Sequence, residues 1–160
     1  MKKTKGGVLK RAIVTPDKHA PLHDMPAIKV VKKAIELVKP DIYVDLGDLG
    51  EFASVSHWQW KRKKKPPLEY IMPNVDKDIK AVNELLDIID ESLDKVSCKE
   101  KHICAGNHDE WLDRFVEEHP YLDYKFEKVC RFKERGYKYH PAGEYLKIGK
   151  LYFYHGHHFG

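Results

Sequence analysis

The architecture turns on residues 25–50, MPAIKVVKKAIELVKPDIYVDLGDLG. Ile28, Val31, Ile35 and Val38 recur at spacings of three and four, with Lys29, Lys32, Lys33 and Lys39 between them. This spacing predicts an amphipathic helix from Met25 to Lys39 with Asp24 as its N-cap. Pro40 closes the helix, and Ile42, Tyr43, Val44 and Leu46 predict a strand that runs into the turn Gly47-Asp48-Leu49-Gly50. Upstream, Val8 to Val14 reads as a buried strand ending at Thr15-Pro16, because proline cannot donate to a ladder and its predecessor is pushed extended. Strand, helix, strand predicts a parallel βαβ unit and an α/β fold.

Downstream, residues 57–73 break the pattern by joining Trp58 and Trp60 to the run Lys61-Arg62-Lys63-Lys64-Lys65-Pro66-Pro67, and they read as a basic surface insertion. Helical periodicity returns at Ile79, Val82, Leu85, Leu86, Ile89 and Leu93. A short strand, Lys101 to Ala105, then ends in the turn Gly106-Asn107-His108-Asp109. Trp111 to Glu118 and Tyr121 to Arg135 read as helices. Tyr145 to Ile148 and Leu151 to Tyr154 read as a hairpin joined at Gly149-Lys150.

The 160 residues fit one domain, and 42% hydrophobic content supports a packed core. The net charge of +4 favours anionic partners without requiring them. Three cysteines, Cys98, Cys104 and Cys130, form neither a CxxC pair nor an even set, so neither a zinc knuckle nor a disulfide framework is indicated. Reduced thiols, the lack of a signal-peptide pattern and the lack of a membrane-length apolar run make a cytoplasmic protein the expectation.

The chain follows a strand with a short polar turn four times: Asp17-Lys18-His19, Gly47-Asp48, Gly106 to Asp109, and His155-Gly156. In an open α/β sheet such turns gather at one crevice. Carboxylates mixed with neutral imidazoles suit borderline divalent transition metals, Mn foremost and Fe, Zn or Ni as the others, whereas an all-oxygen set would suit Mg or Ca. Two such ions roughly 3.5–4 Å apart can clamp a phosphoryl group and generate hydroxide near neutral pH.

The ordered set DxH, GDxxE, GNHD and HG resembles the calcineurin-like metallophosphoesterase family, and PDKHAPLHD is similar to its phage and prokaryotic members. The resemblance implies an αββα sandwich of two mixed sheets flanked by helices. It also implies hydrolysis of a phosphomonoester or phosphodiester by a hydroxide held between two metals. By motif, Asp17 and His19 would bind the first metal, Asp48 would bridge both, and Asn107 and His155 would bind the second. His108, beside Asn107 at the substrate, would stabilise the transition state or protonate the leaving oxygen. The family's closing GHxH motif does not follow His155 before Gly160, so the resemblance implies that the natural chain continues.

Two readings of other classes stand beside the enzyme. A noncatalytic module could keep the fold without a full metal site. A nucleic-acid-binding domain could use Lys61, Arg62, Lys63, Lys64 and Lys65 on phosphates, with Trp58 and Trp60 stacking on bases; a solvated basic loop is the simpler account of that run. His23 and Asp24 are candidates for orienting ligands, although capping alone explains much of Asp24. Glu51 reads as a solvated helix-start carboxylate, and His57, His102, His119 and His140 read as surface or packing residues. His157 and His158 read equally well as a tag remnant or nonspecific metal-binding tract.

Overall fold

A computed structural model describes residues 9–61 and 63–157. Its elements are β1 (Ala12–Thr15), α1 (Met25–Val38), β2 (Ile42–Asp45), α2 (His57–Trp60), α3 (Leu68–Lys95) and β3 (Glu100–Cys104), followed by α4 (Asn107–Glu118), α5 (Phe126–Val129), β4 (Tyr137–His140), β5 (Leu146–Ile148) and β6 (Leu151–Phe153). β1, β2, β3 and β4 lie in that order in one sheet, and every pairing among them is parallel. Among the described residues antiparallel pairing is confined to the hairpin β5–β6. The protein is therefore α/β, built on a four-stranded parallel sheet.

Alternation along β2 sorts the two faces of the sheet. Tyr43 and Ile103 join Ile28 and Ile35 of α1, the apolar stripe of α3 from Val75 to Leu93, and Leu112 and Phe115 of α4 in one core. Ile42, Val44 and Cys104 face the other way and pack against Leu146, Ile148 and Phe153 of the hairpin. Helices thus cover one face and the hairpin sits on the other. Among the described residues no helix is long and apolar enough to cross a membrane.

Several elements differ from the sequence expectation for identifiable reasons. β1 occupies only Ala12–Thr15, and Val8, where that strand was expected to begin, lies outside the described residues. Asp24 does hold the N-cap position of α1, but its side chain makes no capping bond. Pro26 has removed one of the amides such a carboxylate would accept from. α3 starts at Leu68 rather than near Ile79, and its 28 residues absorb Pro73, whose missing N–H leaves the carbonyl one turn back without its helical partner. The last part of the basic segment is therefore helix, as is its beginning in α2.

The expected helix from Tyr121 to Arg135 shrinks to α5, because Arg131 turns into the left-handed region at φ 55°. β4 was not expected, although Tyr137 and Tyr139 alternate with Lys138 and His140 at the strand period. The GNHD segment is the start of α4 rather than a free turn.

Asp78 is buried on the inner face of α3, and burial pushes its carboxyl up to about 6, with the Phe52 N–H opposing and the Glu51 charge adding to the rise. The native state then holds this proton more tightly than the unfolded chain, whose Asp titrates near 4. Stability from this group is full below about pH 4 and is lost as pH rises through about 6. Asp78→Asn keeps an acceptor and removes the charge. Thermal melts should show the variant gaining on wild type by about 1–3 kcal/mol at pH 8 and little at pH 4; the same difference at both pH values would contradict this.

Candidate metal centre

Three turns are locked side by side at the ends of β1, β2 and β3. Beyond β1 the chain keeps pairing with the turn after β2: the N–H groups of Asp17, Lys18, His19 and Ala20 donate to the carbonyls of Gly47, Asp48, Asp48 and Leu49 at 2.8–3.0 Å. Asp17, His19 and Asp48 all sit at φ near +50°, a region L residues avoid unless their surroundings hold them there. Lys18, between the two outward side chains, points inward. Its Nζ donates to Asp45 Oδ2 at 2.6 Å and to Thr15 Oγ1 at 2.9 Å, pinning the first turn to the end of β2.

The third turn is fixed by Asp109, which is fully buried. Its Oδ1 accepts the N–H groups of Leu49 at 3.1 Å and Gly50 at 3.2 Å, and its Oδ2 accepts that of Gly106 at 3.0 Å. Burial outweighs these donors and pushes the Asp109 carboxyl up to about 7. Gly106 is required for closeness, since a Cβ there would lie 2.1 Å from Asp48 Oδ1. The His108 N–H donates to that same oxygen at 2.9 Å.

On this frame the side chains converge on Asp48. His155 Nε2 lies 3.2 Å and His19 Nε2 3.7 Å from Asp48 Oδ2, and Asp17 Oδ1 is 4.0 Å from His155 Nε2. Each of three imidazoles is tied by the nitrogen facing away. His155 Nδ1 meets the Leu46 carbonyl at 2.9 Å, His108 Nδ1 the Glu51 carbonyl at 2.7 Å, and His19 Nδ1 the Glu51 carboxylate at 3.0 Å. With Nδ1–H donated outward, the tautomer is set and Nε2 is left for the site.

Charge follows the same geometry. Burial alone would raise the Asp48 carboxyl, but the His155 imidazole and the His108 N–H overcome it and hold it below its ordinary value. The hydrogen bond to Asp48 raises His155 against its own burial.

Two groups of ligand atoms close enough to hold a cation result among the described residues: His19, Asp48 and His108, and Asp17, Asp48 and His155. Asp48 belongs to both. Two carboxylates and three imidazoles, each imidazole oriented by an acceptor on its far nitrogen, form a donor set that fits borderline transition metals. The grouping differs from the motif assignment in two respects. Asp17 falls with His155 rather than with His19, and His108 lies within ligand distance as well as beside the substrate position. Asn107 is the first residue of α4, half-buried next to Gly106.

Glu51 is not the solvated carboxylate the sequence suggests. Its carboxylate holds His19 and lies 3.5 Å from His108 Nδ1. Glu51→Ala should weaken Mn binding by about 10–100-fold in calorimetric titration, with Glu51→Gln recovering much of the loss; unchanged affinity in the alanine variant would remove its orienting role. Lys18, Asp109 and Trp111, whose ring lies 3.9 Å from that of His108, are the other contributors the sequence reading passed over. For Asp109 the capping position three residues after the N-cap Gly106 was the available signal.

Most of the remaining candidates lie apart. His23 and Asp24 line a separate cavity of about 240 Å³ that Asp17 also borders. His102 is buried on the sheet and bonded to His140 at 3.0 Å, and His119 Nδ1 bonds the Phe115 carbonyl, so these are packing residues. His157 Nε2 is 3.7 Å from Glu110, near the site; His158 lies outside the described residues. In the basic run, Lys61 Nζ sits 4.6 Å over the Trp58 ring and Lys65 pairs with Glu118 at 2.8 Å; Lys63 and Lys64 are exposed, and Arg62 lies outside the described residues. A larger cavity, about 540 Å³, lies at the far end of α4 against Asp113, Leu122 and Tyr139, away from the centre.

No family model, curated protein or solved structure matches the chain.

Proposed function

We propose that the protein is a metal-dependent phosphoesterase of the calcineurin-like type, hydrolysing a phosphomonoester or phosphodiester. The observation that carries the reading is the convergence of three Nδ1-anchored imidazoles and Asp17 on a single shared carboxylate, Asp48. A bound cation pair would supply Lewis acidity toward the phosphoryl oxygens and a hydroxide nucleophile near neutral pH. Mn is the first choice of metal, with Fe, Zn and Ni as alternatives.

Asp48 would be the ligand common to both positions, with Asp17 and His155 on one side and His19 on the other. Asn107 opens α4, so its amide and the helix N-terminus favour the anionic part of a substrate. With Nδ1 on the Glu51 carbonyl and its ring against Trp111, His108 would offer Nε2 to the same space. There it would move a proton to the leaving oxygen. The αββα sandwich belongs to this reading: helices on one face of the sheet and a hairpin on the other support the first two layers and the beginning of the third.

The test is Mn-dependent hydrolysis of a chromogenic phosphodiester beside the matching monoester, with chelated protein as the blank. Metal-dependent turnover supports the reading, and the diester-to-monoester ratio assigns the subclass. No turnover with any of the four metals would favour a noncatalytic module.

A further inference from the structure

The basic segment carries aromatic and amide side chains on both flanks, and the fold gathers them next to the Asp48 centre. Trp60 of α2 and Tyr70, Asn74 and Lys77 from the first turns of α3 line a cavity of about 280 Å³. Glu51 belongs to both places. It lines this cavity, its carboxylate holds His19 and its carbonyl holds His108. The cavity therefore opens beside the atoms that orient two of the three imidazoles.

Its chemistry is not that of a phosphate site. Among the described lining residues Glu51 and Asp78 place two carboxylates against one cation, Lys77, so an anionic group is disfavoured within it. The walls suit a flat ring with hydrogen-bond donors. Trp60 is fixed in orientation because its Nε1–H donates to the Ser54 carbonyl at 2.9 Å, and Tyr70 is 63% exposed. The Asn74 amide donates to the Tyr70 carbonyl at 3.0 Å, which leaves Asn74 Oδ1 as an acceptor. The volume lies just below the usual range for small-molecule sites, roughly 300–1,000 Å³, which suits one base and its sugar in an open cleft.

We propose that this cavity seats the nucleoside of a nucleotide ester whose phosphate lies at the Asp48 centre. The base stacks on Trp60 and Tyr70, and base or sugar donors meet Asn74 and Asp78. The proposal rests on the phosphoesterase reading and narrows its substrate to nucleotides or nucleic acid.

The test compares kcat/KM for 4-nitrophenyl esters of thymidine 5′-phosphate and adenosine 5′-phosphate with that for methyl 4-nitrophenyl phosphate. All three share charge and leaving group and differ in the nucleoside. Wild type should prefer at least one nucleotide ester by about 10–100-fold, the scale of one aromatic–base stack. The preference should fall toward one in Trp60→Ala and in Asn74→Ala, persist in Trp60→Phe, and persist in Trp58→Ala, which separates the cavity from the exposed basic run. Equal kcat/KM for all three esters in wild type overturns the proposal, as does a preference that all four variants keep. If none of the three diesters is hydrolysed, the diesterase form of the phosphoesterase reading has failed by itself. Quenching of tryptophan fluorescence by thymidine and adenosine then decides: saturable binding lost in Trp60→Ala upholds the cavity, and no saturable binding overturns it.

Discussion

Asp48→Asn should lower metal-dependent hydrolysis by on the order of 10³-fold or more and should reduce bound Mn together with it. Asp48 is the one residue common to both groups of ligand atoms, so neutralising it affects both positions at once. The substitution is nearly isosteric. Its Oδ1 can still accept the His108 N–H that ties α4 to the second turn, so a fall in Tm should be small beside the fall in activity. Loss of activity without loss of Mn would place Asp48 beside the metals rather than between them. An unchanged rate would remove the centre altogether.

Asp109→Ala should instead act on the frame. The carboxylate accepts N–H groups from Leu49, Gly50 and Gly106, which belong to two different turns and are all buried. Truncation leaves each without a partner, at about 1–3 kcal/mol per orphaned group, so the variant should lose about 3–5 kcal/mol in urea unfolding. The turns bearing Asp48 and His108 are the ones released, so metal affinity should fall with stability. A loss under about 1 kcal/mol would show that the turns are held by other means.

The contrast between these two residues shows what could be read from the sequence. Asp17, Asp48 and the Gly106 turn were legible because each follows a short apolar strand and because glycine marks where chain must approach chain. A Cβ at Gly47 would lie 2.2 Å from the Gly106 nitrogen, a requirement that leaves a visible glycine in both turns. His155 was legible as a strand end, but its orientation depends on the Leu46 carbonyl, a contact far off in sequence.

The supporting residues were not legible, since burial and partner decide their roles. Lys18 looks like any surface lysine until Asp45 is found beneath it, and Glu51 looks solvated until two imidazoles are found against it. The long start of α3 was hidden by Pro66, Pro67 and Pro73, which read as loop. Yet Pro67 stands just before the helix, where proline is tolerated, and packing of Ile71 and Val75 carries the helix through Pro73. β4 went unread because its four residues carry only two apolar side chains, Tyr137 and Tyr139, too short a stretch to stand out as a strand.

Two cations sharing Asp48 is the claim on which the chemistry depends, and Mn titration of chelated protein, followed together by calorimetry and by hydrolysis of bis(4-nitrophenyl) phosphate, tests it most directly. The predicted result is binding of two equivalents, with turnover rising as the second is bound and both signals lost in Asp48→Asn. Binding of one equivalent or none, with no turnover at saturating Mn, would contradict it.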